Sequence, residues 1–171
     1  MKRAKNKNDL CTEYVRGLFN YNPLTGFLTH KERFGVITGE RAGYINSGYR
    51  SVKINQIAYL EHRIIWLYVT GEWPLNEVDH KNLNKQDNSW NNLRQSSRKQ
   101  NSFNGPTRKR KYGSLKGAFY HKNYKRWQSA IGIDNKIIYL GWFDSEIDAH
   151  DAYCEAALKY CGEFARISNA A

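Results

Sequence analysis

From Asn76 to Arg126 the chain is polar, then purely basic, and this stretch divides the molecule. Eight Asn fall within Asn76–Asn104. Such a run makes no core by itself, because Asn favours turns and local hydrogen bonds. The Arg94–Arg126 belt adds 11 Lys and Arg residues and no acid. Apolar material lies on both sides. With 40% hydrophobic residues, 171 residues suffice for two small cores or one ordinary one. An aromatic content of 14% excludes a disordered chain. Gly105-Pro106 and the RKRK run at 108–111 read as a linker. The expected division is 1–104, a basic linker at 105–111, and 112–171.

The formal charge is +4 before the belt, +11 within it and −4 after it. A belt of this kind is a field for a polyanion. Basic charge interleaved with aromatics favours nucleic acid over a merely solvated linker. A membrane surface fits less well, since the belt has no apolar stripe. Cys11, Cys154 and Cys161 are odd in number and far apart, without a CxxC pair. They read as reduced, partly buried thiols rather than a disulfide framework or zinc knuckle. The charged start MKRAKNKND reads as a polar arm, not a signal peptide, and a cytoplasmic protein is expected.

Thr12–Phe19 has helical spacing. Gly26–Lys31 reads as a strand, and a further hairpin follows. Tyr49–Ile54 and Ala58–Glu61 flank a turn at Asn55-Gln56. His62–Val69 is an apolar helix ended by Gly71 and Pro74. Beyond the linker, Ala118–His121, Arg126–Ile133 and Ile137–Phe143 read as three strands, with a turn at Asp134-Asn135. Asp144-Ser145 caps a helix over Glu146–Tyr160, with Ile147, Ala152, Tyr153, Ala156 and Tyr160 as its buried face. The fold class is α+β.

Within the Asn-rich segment stand Asp79, His80, Asn92 and Asn101. His80 and Asn92 are 12 residues apart, and Asn92 and Asn101 are 9 apart. A short strand would carry Asp79 and His80 on opposite faces. Leu93–Gln95 would return, and a helix over Ser97–Phe103 would bring Asn101 near Asp79. Phosphodiester hydrolysis needs a hard cation on oxygen ligands and a base that titrates near neutrality. It also needs that base held in one tautomer, which an Asn or backbone oxygen can do.

The stretch VDHKNLNKQDNSWNNLRQSSRKQN resembles the HNH motif of phage and intron-encoded homing endonucleases. So do YNPLTGFLTH, AGYINSGYRSVKI and HRIIWLYVTGEWP upstream. The resemblance covers roughly Leu18–Asn104 and implies a ββα-metal nuclease fold. It implies His80 as general base, Asp79 and Asn101 as ligands of Mg²⁺ or Mn²⁺, and Asn92 orienting the His80 ring. Asn101 stands where many members have His, which suits hard ions over zinc and leaves nicking or double-strand cutting open. His30, His62, His121 and His150 read as ordinary histidines. His62 caps or packs the apolar helix and stands behind the site.

Tyr112–Ile167 is similar to the plant APETALA / ethylene-response-factor DNA-binding domain, through KGAFYHK, KRWQSAI and YLGWFDSEIDAHDAYCEAALKYCGEFA. The resemblance implies a three-stranded antiparallel sheet packed on one helix, with the sheet in the major groove of double-stranded DNA. Alternation sends Ala118, Trp127, Ser129, Ile131, Ile138 and Leu140 to the helix. Phe119, His121, Arg126, Gln128, Ala130, Gly132, Ile137 and Tyr139 face outward. Of these, Phe119, His121, Arg126, Gln128 and Tyr139 are the candidate DNA contacts. Lys122 and Lys125 suit phosphate. Arg94, Arg98, Lys99, Arg108, Lys109, Arg110, Lys111 and Lys116 form the basic grip. The plant family has several Arg where this chain has Phe119, Ala130, Gly132 and Ile137, which shifts recognition toward thymine methyls or DNA shape. The whole reads as a site-directed DNA endonuclease, acting as monomer or homodimer. The rival reading is a DNA-binding regulator with an inert nuclease part.

Overall fold

A computed structural model describes residues 10–105 and 110–167. The expected arm at the N-terminus, up to residue 9, and most of the expected linker, with Arg108 and Lys109, lie outside the described residues. The chain divides into two compact units between Arg98 and Lys99.

In the first unit, α1 (Thr12–Leu18) leads directly into the hairpin β1 (Phe19–Asn22) and β2 (Phe27–His30). A three-stranded antiparallel sheet follows, β3 (Tyr44–Asn46), β4 (Tyr49–Ile54) and β5 (Ile57–Leu60). Asn55 and Gln56 both take positive φ at the β4–β5 turn, a conformation that Asn adopts more readily than most residues with a side chain. Helix α2 (Glu61–Thr70) starts at once and stops at Gly71, which is left-handed. Val15, Phe19, Leu28, Val52, Ile64, Ile65 and Leu67 are all nearly inaccessible. Each such aliphatic or aromatic side chain contributes about 1.5–3 kcal/mol by leaving water. That core fixes the first turn of α2, where Glu61 and His62 sit.

The antiparallel hairpin β6 (Glu77–His80) and β7 (Leu93–Ser96) pairs Asp79 with Arg94 and His80 with Leu93. Their connection contains a 3₁₀ turn at Trp90–Asn92. Helix α3 (Arg98–Asn104) comes next in the chain. The unit boundary falls within it.

The second unit contains β8 (Ala118–His121), β9 (Arg126–Ile133) and β10 (Lys136–Phe143), in the order β10-β9-β8 and all antiparallel. Asp134 and Asn135 make the β9–β10 turn at positive φ. Helix α4 (Glu146–Cys161) is capped by the Ser145 hydroxyl, which accepts from the Asp148 N–H at 3.1 Å. Its buried face is Ala149, His150, Tyr153, Ala156 and Ala157. The expected face was wrong at two positions, since Ile147 and Tyr160 are exposed. The 149/153/156/157 spacing is the apolar stripe, and its alanines let the helix approach the sheet closely. Gly117 shows how closely, since a Cβ there would lie 2.0 Å from the Tyr153 ring.

The mixed α+β character is as expected, with four helices and several small antiparallel sheets among the described residues. All three cysteines are free. Cys11 is exposed rather than partly buried. No helix among the described residues is long and apolar enough to cross a membrane.

Candidate active site

His80 ends β6 with its side chain almost wholly buried, 4% exposed. Its Nε2 lies 2.9 Å from Asn88 Oδ1. Asn88 Nδ2 donates in turn to Glu61 Oε2 at 2.8 Å. Arg50 Nε of β4 stands 3.1 Å from the same carboxylate oxygen. Asn88 and Glu61 are both 0% exposed. A polar chain thus runs from β4 through the head of α2 and the β6–β7 loop to the histidine. Asn88 is hydrogen-bonded at both ends and Arg50 is ion-paired with Glu61, so each side chain positions the next.

Burial holds His80 below the ordinary histidine range, against the Asn88 hydrogen bond and the Asp79 and Asp87 charges, which favour the cation. The ring is therefore neutral near pH 7, the form a base needs. His62 meets it edge-on with centroids 5.0 Å apart. Burial, then His80 and Arg63, pushes His62 down to about 3. His62 packs rather than caps, since α2 begins after Leu60 without a side-chain cap. Tyr49 lies near both histidines with its ring tilted to each, and Lys85 Nζ lies 4.5 Å from the Tyr49 ring centre.

The loop over 81–92 holds itself together. Asn84 N–H donates to Asn82 Oδ1 at 2.9 Å, and Gln86 N–H to Asn84 Oδ1 at 3.1 Å. Asn82 Nδ2 donates to Asp87 Oδ2 at 2.7 Å, and the Ser89 hydroxyl to Asp87 Oδ1 at 2.7 Å. Asn92 belongs to this framework. Its Oδ1 accepts from Asn82 N–H at 3.0 Å, and its Nδ2 donates to the Asp87 carbonyl at 2.7 Å. The expectation that Asn92 orients His80 is corrected here. Its carboxamide is used by the loop backbone, and the one that reaches the imidazole Nε2 is Asn88. The β1–β2 hairpin anchors the loop from outside. Tyr21 Oη donates to the Asn88 carbonyl at 2.9 Å, and Trp90 N–H to the Pro23 carbonyl at 2.9 Å.

Asp79 is also buried. Its Oδ2 accepts from Arg94 Nε at 3.1 Å and Nη2 at 2.9 Å. Arg94, at 10% side-chain exposure, therefore does not serve the basic grip expected of it. Its fork neutralises a buried carboxylate. Among the described residues no three His, Cys, Asp or Glu side chains cluster as a metal cage. The expected donors, Asp79 and Asn101, are instead a carboxylate and a carboxamide, and Asn101 lies in the second unit. A carboxylate oxygen and a carboxamide oxygen are each the kind of hard donor that Mg²⁺ or Mn²⁺ takes. Arg94 would have to share Asp79 with such an ion.

In the second unit Phe119, Ile137 and Tyr139 are exposed on the open face, with Arg126 at its edge. Ala118, Ser129 and Ile131 are buried toward α4. Ile138 and Leu140 pack partly buried on the same core. Trp127 is half-buried beside Tyr120. His121 Nε2 lies 3.1 Å from Gln128 Oε1. Lys111, Lys122 and Lys125 are exposed, as are Arg98 and Lys99. Lys99 pairs with Asp134. Arg126 pairs with Asp144 at 2.9 Å. Arg110 donates to the Ala118 carbonyl at 2.6 Å with its guanidinium over Phe119. Lys116 is corrected. Its Nζ donates to the Phe103 and Gly105 carbonyls at 2.6 and 2.9 Å, at the C-terminal end of α3. There it caps a helix and is not offered to a phosphate.

Sequence reasoning missed Asn88, Glu61 and Trp142. The signal for Glu61 was a charged residue heading an apolar helix. For Trp142 it was Gly141 inside a strand. The register slips between Tyr139 and Gly141, so Trp142 pairs with Gln128 and joins the open face. It meets His121 at 4.8 Å and Tyr124 at 5.3 Å between ring centres.

A buried neutral histidine beside a carboxylate, on a short hairpin, is the equipment of a hydrolytic site. Residues 59–103 match the family described as HNH endonuclease. The match runs from the end of β5 into α3, covers about a quarter of the chain, and includes Glu61, His80, Asn88 and Asn92. It supports a nuclease. No curated protein matches the chain.

Proposed function

We propose that the chain is a site-directed, divalent-metal-dependent DNA endonuclease of the phage homing type. The observation that carries this reading is His80, neutral and buried, one residue from Asp79 within the HNH-matched segment. His80 takes a proton from water as the water oxygen attacks the scissile phosphorus. The P–O bond to the leaving sugar oxygen breaks. Asp79 and Asn101 would hold Mg²⁺ or Mn²⁺, which would supply stabilisation of charge on the phosphate. Asn92 keeps the loop in shape, with Asn88 attached to it. The second unit, read as an APETALA-like domain, sets its open sheet face against double-stranded DNA. Exposed Lys111, Lys122 and Lys125 meet phosphates there.

The test is incubation of the purified protein with supercoiled plasmid and with a source-genome library, in Mg²⁺, Mn²⁺ or EDTA, beside His80→Ala. Metal-dependent open circles from wild type alone are expected, with duplex binding by the variant retained within about threefold. Linear product would indicate paired sites. Near-normal cutting by His80→Ala would remove His80 as the base. Tight duplex binding without any cutting would favour the DNA-binding regulator.

A further inference from the structure

We propose that Glu61 sets the tautomer of His80 through Asn88, placing the imidazole proton on Nε2 and the lone pair on Nδ1. This rests on the reading of His80 as the base and adds two positioning residues to it.

The argument begins with the asymmetry of a carboxamide. Asn88 has one accepting oxygen and one donating nitrogen. The nitrogen must face Glu61, because a carboxylate offers only acceptors, and Asn88 Nδ2 does so at 2.8 Å. The oxygen is then turned to His80 Nε2 at 2.9 Å. An oxygen there accepts, so Nε2 carries the hydrogen. In a neutral imidazole the other nitrogen is then the acceptor. Neither carboxylate nor carboxamide can escape into water, since both are fully buried. Arg50 balances the Glu61 charge at 3.1 Å. The Asn88 backbone is held in place, because Tyr21 Oη donates to its carbonyl and Gly26 lies against it, so only the carboxamide's two ends can exchange. Glu61 touches no reacting atom and acts only through Asn88.

Glu61→Met has a specific consequence. Arg50 and Asn88 share one Glu61 oxygen, and methionine removes it, so nothing holds the carboxamide nitrogen away from His80. Asn88 then presents either end to His80 Nε2, and both imidazole tautomers are populated. The full-length protein, ¹⁵N-labelled in histidine, would be observed by NMR at pH 7.5, with the His80 signals assigned by their loss in His80→Gln. Wild type is expected to show the Nε2–H form alone, and Glu61→Met a mixture of the two. Plasmid cleavage by Glu61→Met should fall at least about threefold, with duplex affinity within about twofold of wild type. An Nδ1–H signal in wild type would overturn the proposal without any variant. So would retention of a pure Nε2–H form in a folded Glu61→Met protein. Full activity of His80→Ala would instead remove the base role and leave the tautomer result standing.

Discussion

His62 shows how one buried ring couples the site to the stability of the fold. It rests edge-on against His80 and is pushed down to about 3, by burial first and then by His80 and Arg63. The unfolded chain would take up a proton near pH 6.5 that the folded chain refuses. Its contribution is therefore complete above about 6.5 and is lost as the pH falls toward about 3. The loss is on the order of 3–5 kcal/mol at the acid end. Urea midpoints measured from pH 7.5 to 4 should fall steeply, and His62→Phe should flatten that slope. An equal slope in the variant would assign acid sensitivity to other groups. At the same scale the sequence displayed Asp79, His80 and Asn92 plainly, by spacing. It could not display Asn88, which is one of eight Asn in a polar run. Only the Glu61 carboxylate, brought in from another element, distinguishes it from its neighbours.

Elements act here by pressing on one another at backbone level. The β1–β2 turn lies so near the His80 loop that a Cβ on Gly26 would fall 2.3 Å from Asn88 C and Ser89 N. Gly26 also has φ +73°, a left-handed value costly for other residues. Gly26→Ala should therefore lower stability by at least about 2 kcal/mol and weaken cleavage through the displaced loop. Denaturant unfolding and plasmid nicking would measure the two effects. An unchanged midpoint would mean that the hairpin lifts away without cost. The strands were legible because alternation and turn pairs such as Asn55-Gln56 and Asp134-Asn135 are local signals. The bulge at Leu140 was not, because alternation assumes an unbroken register. One extra residue reverses the face of everything after it, and Trp142 changes sides.

Across the whole molecule, charge is segregated along the chain, with +11 between Arg94 and Arg126 and −4 after it. The proposed duplex binding should weaken steeply with salt, by about 0.9 in log–log slope for each phosphate neutralised. Lys122→Ala combined with Lys125→Ala should reduce that slope by about 2, as read from fluorescence anisotropy of a labelled duplex. A nearly flat salt dependence would take the basic belt out of the contact surface. Arg94→Ala and Lys116→Ala should change the slope little, because Arg94 serves Asp79 and Lys116 serves helix carbonyls. What the sequence determined alone was periodicity, turn chemistry, charge and the order of motif residues, since these depend on near neighbours in the chain. The tertiary structure decided which cation is used inside the protein, which Asn reaches His80, and which carboxylate stands behind it. Those choices depend on hydrogen bonds between residues 8 to 27 positions apart in different elements or loops, or on burial that no local window records.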